Sequence, residues 1–238
     1  MHLDDIIYKR QSIRNYNNQK LSDECINSIE EFIDNVKPLY PNIKSDYEIV
    51  DSSNVKTIMN WKAPYYIQIY GQDTENCFKN IGFIYQQVDL YLQGNDIGSC
   101  WVGVAKPRKY KDDNLKYIIT MAFGKSDEDI SRSTDEFKRK SLDEISNNYD
   151  DKLNVARLAP SAMNSQPWYF THNNDDTYNI YRKKQNIIKR RILDKLNQID
   201  IGIALAHLYV ANRDSFEYFT NKDYEKLDGY IYEGSFKI

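Results

Sequence analysis

Arg10, Ser12 and Arg14 alternate near the start of the chain. In an extended segment, alternate residues point to one face. Two guanidinium groups and a hydroxyl on one face suit a phosphate, because Arg offers two parallel charged hydrogen bonds and Ser adds another. The same alternation also suits a solvated edge strand, so the pattern alone leaves both readings open.

The segment Ala159-Pro160-Ser161-Ala162-Met163-Asn164-Ser165-Gln166-Pro167-Trp168 is more specific. Pro160 and Pro167 each restrict the backbone. Between them stand small and amide residues, which let a planar ligand approach and can donate to and accept from a ring edge or a polyol. A helix end leading through a loop into a strand at Trp168 explains the prolines but not the whole string. Two further pieces stand out. Gly98-Ser99-Cys100-Trp101-Val102-Gly103 reads as a short site loop, and Arg139 precedes Lys140-Ser141-Leu142-Asp143-Glu144.

Together these pieces resemble the FMN-dependent nitroreductase family. The family's R-x-S-x-R is matched by Arg10, Ser12 and Arg14, and its A-P-S-x-x-N-S-Q-P-W by Ala159 to Trp168. Its G-S-C-W-x-G stretch is matched by Gly98 to Gly103, and its basic residue before a P-L-x-E-like stretch by Arg139. Ordinary members carry the arginine motif and the A-P-S string in one repeat. They are homodimers in which one subunit supplies the arginines of a flavin site and the other supplies the A-P-S loop. Here Val36 to Asp46 carries no A-P-S string, and no R-x-S-x-R precedes Ala159. The two losses are complementary. The resemblance therefore implies a divergent, internally duplicated subfamily: a single-chain pseudo-dimer with one complete FMN site.

Carried over residue by residue, Arg10, Ser12, Arg14 and Arg139 hold the phosphate and ribityl end. Pro160, Ser161 and Asn164 contact the ring or ribityl chain, and Ala162 stands where many members have a second Ser. Val102, Gly103 and Val104 lie beside the isoalloxazine, with a backbone N–H near N5. The implied activity is an FMN-dependent NAD(P)H oxidoreductase. NADH or NADPH delivers hydride to N5, and a nitroaromatic or quinone-like small molecule then takes two electrons. The flavin does the chemistry, so no side-chain nucleophile or base is required. The alternative is an FMN-binding or flavin-storage protein with little turnover, toward which Ala162 points; a relic without cofactor is a third reading.

These pieces need elements to position them. Leu21-Ser22-Asp23-Glu24 reads as a helix start with Ser22 as N-cap, followed by Ile26, Ile29, Phe32 or Ile33, and Val36 at helical spacing. Tyr47 to Val50 and Tyr65 to Tyr70 read as strands, with Trp61 opening the second. A helix from near Glu75 carries Phe78, Ile81, Tyr85, Val88 and Leu92 and ends at Gln93-Gly94-Asn95-Asp96. Leu115 to Phe123 is the next strand, closed by Gly124. In the second half, Lys140-Ser141-Leu142-Asp143-Glu144 echoes Lys20-Leu21-Ser22-Asp23-Glu24, with a helix expected after each. Trp168 to His172 and Thr177 to Tyr181 read as strands, and Ile199 to Val210 as a buried helix. Lys20 and Lys140 are 120 residues apart, as are Gly82 and Gly202. One constant offset suggests a duplicated unit. The expected fold is α+β and nitroreductase-like: two tandem α/β repeats, residues 1–125 and 126–238, with antiparallel or mixed sheets packed on central helices.

Composition narrows the function class. The chain has 238 residues, 41% hydrophobic and 28% charged, as in a globular protein. A net charge of -3 gives no electrostatic reason to expect nucleic acid. No apolar run approaches the roughly 20 residues of a membrane span, and the acidic start does not resemble a signal peptide, so the expectation is cytoplasmic. Cys25, Cys77 and Cys100 are odd in number and widely spaced, which reads as free thiols. His2, His172 and His207 lack metal-ligand spacing; His207, on an apolar helix, reads as a hydrogen-bonded interior residue or one at the flavin edge. Lys183, Lys184, Lys189, Arg190, Arg191 and Lys195 read as a solvated helix face, with attraction of a cofactor phosphate as the alternative. A fused pseudo-dimer completes its site without a second copy, which fits a monomer and leaves room for a homodimer.

Overall fold

A computed structural model describes residues 2–111, 114–172, 176–185 and 187–238, with the backbone alone for 187–192. The side chains of Lys189, Arg190 and Arg191 therefore lie outside the described residues, whereas Lys183, Lys184 and Lys195 are exposed.

A short helix, α1 (Leu3–Ile7), leads through the extended Arg10–Arg14 segment to α2 (Asp23–Asn35). Ser22 caps α2 by accepting from the Cys25 N–H at 3.2 Å, which satisfies one of the helix's orphan donors. Ile29 and Ile33 carry its apolar spacing into the core. Four strands follow in one antiparallel sheet: β1 (Ser45–Asp51), β3 (Tyr65–Gly71), β4 (Gly98–Val102) and β6 (Lys116–Gly124), in the order β1-β3-β6-β4. β2 (Val55–Lys56) and β5 (Lys106–Pro107) form a separate small ladder. Trp61 precedes the strand, which begins at Tyr65 after the restriction imposed by Pro64.

The second half follows the same order of elements. β7 (Trp168–His172), β8 (Tyr178–Lys183), β9 (Glu217–Phe219) and β10 (Tyr230–Lys237) pair antiparallel in the order β7-β8-β10-β9. In each sheet the first and second strands neighbour each other, and the fourth separates the second from the third. A long helix joins the second strand to the third in each half: α3 (Cys77–Gly94) in one and α6 (Ile187–Ala211) in the other. α6 begins well before Ile199: Ile188, Ile192 and Leu196 carry the helical spacing back through its basic first turns. The helix expected after Glu144 is reduced to two single turns, α4 (Leu142–Ile145) and α5 (Asn154–Arg157). Ser146 ends α4: its hydroxyl lies 2.9 and 2.8 Å from the carbonyls of Leu142 and Asn148, to either of which it can donate, and its backbone bridges to Phe170. Side-chain bonds of this kind compete with continued helix.

α3 and α6 cross at Gly82 and Gly202, where neither helix leaves room for a side chain. The apolar stripe read in α3 is only part of its packing. The helix is buried nearly all round, including Lys79, Asn80, Gln86, Gln87 and Asp89. A helix buried on every face is core, and its polar groups must find internal partners. Lys79 pairs with Glu233 of β10 at 3.0 Å, tying one half to the other. One apolar cluster takes residues from both halves, among them Ile69, Ile81, Ile199 and Phe236.

Candidate functional site

The extended segment from Arg10 to Arg14 runs against β4 on one side and the 131 region on the other. Ser12 bridges Ser99 in parallel and Arg10 bridges Ser131 antiparallel. Alternation holds. Ile13 turns to Gly98, where a β-carbon would meet its side chain at 2.8 Å. Arg10, Ser12 and Arg14 turn the other way, toward Cys100, whose thiol is pushed up by burial against the opposing charges of Arg14 and Arg10. This face is not uniformly open. Arg14 is exposed, but Arg10 is 1% exposed and sits 2.9 Å from Asp89 of α3. The Arg10 Nε is not aligned for a hydrogen bond to that carboxylate, so the contact is an ion pair and leaves a buried donor without an acceptor. One terminal nitrogen of Arg10 donates to Ser12 Oγ at 3.3 Å.

Asp89 belongs to a connected buried network. Ser99 Oγ donates to it at 2.6 Å and Gln86 Nε2 at 2.9 Å. Gln86 Nε2 also lies 3.1 Å from His207 Nε2, and Gln86 Oε1 accepts from Trp101 Nε1 at 3.2 Å. His207 Nδ1 is 2.8 Å from the Val155 carbonyl. Only one tautomer satisfies both contacts: Nδ1–H donates to Val155 and Nε2 accepts from Gln86. Full burial pushes the His207 pKa down to about 3, so the ring is neutral. Arg10 is thus fixed through α3 to α6 and α5.

Gly98 to Val102 forms strand β4, paired with β6, and not the expected loop. Its long-range partner is what converts a string of small residues into a strand. Val102 is buried, and Gly103 and Val104 form the exposed turn beyond it. A β-carbon on Gly103 would lie 3.4 Å from Leu196 of α6.

The A-P-S segment docks one turn further along the same helix. The Ala162 N–H donates to Asp200 Oδ1 at 3.0 Å, and Ser165 Oγ lies 3.5 Å from Asn197 Oδ1. Asp200 Oδ2 and Asn197 Nδ2 are buried without partners among the described residues. Burial pushes the Asp200 carboxyl up to about 8 against the opposing pull of its two loop contacts. Pro160 is buried, and the Ser161 hydroxyl accepts from the Gln166 N–H at 2.9 Å, closing the loop on itself. Met163, Asn164 and Gln166 all have left-handed backbones, with φ of 53°, 55° and 46°. Such conformations cost energy for a residue like Met and persist only where surroundings impose them. They leave Met163 86% exposed, with Asn164 also at the surface.

Arg139 ties the A-P-S segment to the arginine side. Its Nε donates to the Ala159 carbonyl at 3.0 Å, one terminal nitrogen to Leu158 at 3.3 Å and the other to Asn164 Oδ1 at 2.9 Å. All are neutral acceptors; among the described residues it has no ion-pair partner. Burial and the charges of Arg132, Arg10 and Arg157 bring its pKa down to about 10. Burial and Arg10 bring Arg132 down to about 10 as well, against the weak support of Glu136. Arg10, Arg132 and Arg139 therefore form a partly buried positive cluster in which, among the described residues, only Arg10 has an ion-pair partner, Asp89. Such an arrangement favours an anion.

The sequence reading missed Asp89, Gln86, Arg132 and Asp200. Asp89 and Asp200 each stand between two apolar residues, Val88 and Leu90 or Ile199 and Ile201, which is the available signal for a buried acid. A cavity of about 630 Å³ lies elsewhere, lined by His2, Phe32, Tyr91 and Arg213, and holds none of the site residues.

Residues 2–212 match the family model described as TM nitroreductase. Among solved structures, a Thermotoga maritima protein described as a nitroreductase superposes with a TM-score of 0.65 at 19% identity, covering 99% of this chain and 92% of that one. That likeness establishes the fold. A nitroreductase family protein from Clostridium difficile 630 gives a TM-score of 0.49 at 18% identity over 60% of this chain and 96% of its own. An FMN-dependent nitroreductase from Clostridium difficile R20291 gives 0.47 at 15% identity over 58% and 97%. No curated protein sequence matches the chain significantly.

Proposed function

This chain belongs to the TM nitroreductase family, which places it among the oxidoreductases, and from that membership and the site geometry we propose that it is an FMN-dependent NAD(P)H oxidoreductase. The observation that carries the cofactor is the bond between Arg139 and Asn164, 2.9 Å long. It joins the positive cluster to the A-P-S loop, so the two chemistries a flavin nucleotide needs, anion binding and polar contact at a ring or polyol, are adjacent. The donor set fits FMN. Arg139 has only neutral partners, Arg14 is exposed, and Ser12 lies between Arg10 and Cys100.

In this reading Arg14, Ser12 and Arg139 hold the phosphate and ribityl end, and Arg10 adds positive field while anchored on Asp89. Pro160, Ser161, Ala162 and Asn164 bound the ring or ribityl chain from the second half. Val102, Gly103 and Val104 bound it from the first. α6 supports both sides, with Leu196 under Gly103 and Asp200 under Ala162. Bound there, FMN would supply two-electron transfer between NADH or NADPH and a small acceptor such as a nitroaromatic or quinone. The protein binds, orients and sets the electrostatics.

The 120-residue offset and the shared strand order support descent of residues 1–125 and 126–238 from one duplicated unit, with one complete site retained. Steady-state oxidation of NADH and NADPH by the FMN-loaded protein, with menadione or nitrofurazone as acceptor, tests the activity. Turnover dependent on both donor and acceptor is expected; FMN held tightly without turnover contradicts the enzymatic reading.

A further inference from the structure

Arg132 stands outside every motif that the family resemblance supplies, yet its side chain is anchored at two points. The guanidinium carbon lies 3.6 Å from the centroid of the Phe137 ring. Its Nε donates to the Arg10 carbonyl at 3.1 Å, and its backbone N–H donates to the Lys9 carbonyl at 2.9 Å. One face is thus stacked and one edge anchored. The two terminal nitrogens have no hydrogen-bond partner among the described residues. Arg139 approaches the same Phe137 ring, with its guanidinium carbon 5.6 Å from the centroid. Two guanidinium groups share one buried aromatic shelf, and the site presents a free fork beside a residue that already touches the A-P-S loop. Stacking on an aromatic face leaves the in-plane donors of Arg available for an oxyanion.

We propose that Arg132 is a direct ligand of the flavin nucleotide's phosphate, with Phe137 as the shelf that orients it and Arg139 as its partner. This rests on the FMN reading above. A phosphate dianion there is met by two like-charged groups, and its binding relieves their mutual repulsion. Burial, followed by the charge of Arg10, depresses the Arg132 guanidinium, and burial, followed by the charges of Arg132 and Arg10, depresses that of Arg139. Arg10 then acts as a positioning residue, because its carbonyl sets the Arg132 fork and its own charge is answered by Asp89.

The test compares FMN with riboflavin, which lacks the phosphate. Dissociation constants for both are measured by flavin fluorescence quenching on the full chain, its Arg132→Ala and Arg132→Lys variants, and Phe137→Leu. Thermal unfolding of each variant is followed in parallel. A direct phosphate contact makes Arg132→Ala weaken FMN on the order of tenfold to a hundredfold and leaves riboflavin affinity unchanged. Lys restores part of the loss, since it keeps the charge but not the fork, and Phe137→Leu weakens FMN selectively. Equal weakening of both flavins, or unchanged FMN affinity in Arg132→Ala, overturns the proposal while leaving the FMN reading intact. Failure of the unaltered chain to bind either flavin overturns both.

Discussion

Gly82 and Gly202 hold reciprocal places at the crossing of α3 and α6. A β-carbon on Gly82 would lie 2.0 Å from the Ile199 carbonyl oxygen, and one on Gly202 would lie 2.0 Å from the Lys79 carbonyl oxygen. Lys79 and Ile199 are separated by the same 120 residues as the two glycines, so the contact is two-fold symmetric. Ala is normally the better helix former by about 1 kcal/mol. Here the clash is with backbone, so the helices must separate. Gly82→Ala and Gly202→Ala are each expected to destabilise the fold by about 3 kcal/mol. Urea unfolding of the two variants checks this; a change within about 0.5 kcal/mol for either contradicts the close crossing.

Asp89 answers the buried charge of Arg10 and also accepts from Ser99 and Gln86. Asp89→Asn leaves that guanidinium buried without a counter-charge. The expected cost is about 3–5 kcal/mol. Arg10→Met in the Asp89→Asn background should recover part of it, because the stranded charge is then gone. Chemical unfolding of Asp89→Asn, Arg10→Met and the double variant measures the coupling, and simple additivity of the two changes contradicts the ion pair.

Arg14 and Asn164 come from opposite sides of the site. Arg14→Ala and Asn164→Ala are each expected to weaken FMN binding by about 1.5–3 kcal/mol, as read by isothermal titration. Wild-type affinity in both variants contradicts the assignment of the site to these two segments.

Asp200 makes stability depend on pH in an unusual direction. Its carboxyl is raised from the ordinary value of 3.8 to about 8 by burial under the A-P-S loop. The folded chain therefore holds this proton more tightly than the unfolded chain. Its contribution is fully present below the unfolded value and is lost as pH rises from about 4 to about 8, by about 1.4 kcal/mol per pH unit across that window. Asp200→Asn keeps an oxygen for the Ala162 N–H and removes the titration. The difference in stability between variant and wild type should thus shift toward the variant between pH 5 and pH 8, measured by denaturant unfolding at each pH. A constant difference contradicts the neutral carboxyl.

Much of this arrangement was legible in residue patterns. The Ser22 cap, the end of α3 at Gln93-Gly94-Asn95-Asp96 and the turn into β7 at Trp168 are local features, set by side chains within a few residues. The A-P-S string was legible because two prolines around small and amide residues have few other uses. Asp89 and Asp200 were not singled out, since a polar residue in an apolar helix gains meaning only when its partner arrives from another segment. The residues of β4 look like a loop for a related reason: Gly98 to Val102 becomes a strand by pairing with β6, a contact no local pattern encodes. The capping box at Ser141 predicts a longer helix than the second half holds, because Ser146 ends it after one turn.

The central claim is a single flavin site assembled from both halves of one chain. Its most direct test is the visible spectrum and FMN-to-protein ratio of the purified chain after saturation with FMN and removal of the excess. The account expects the flavin absorbance band at a ratio of one FMN per chain. A colourless protein that retains no flavin, or a ratio of two, would contradict it.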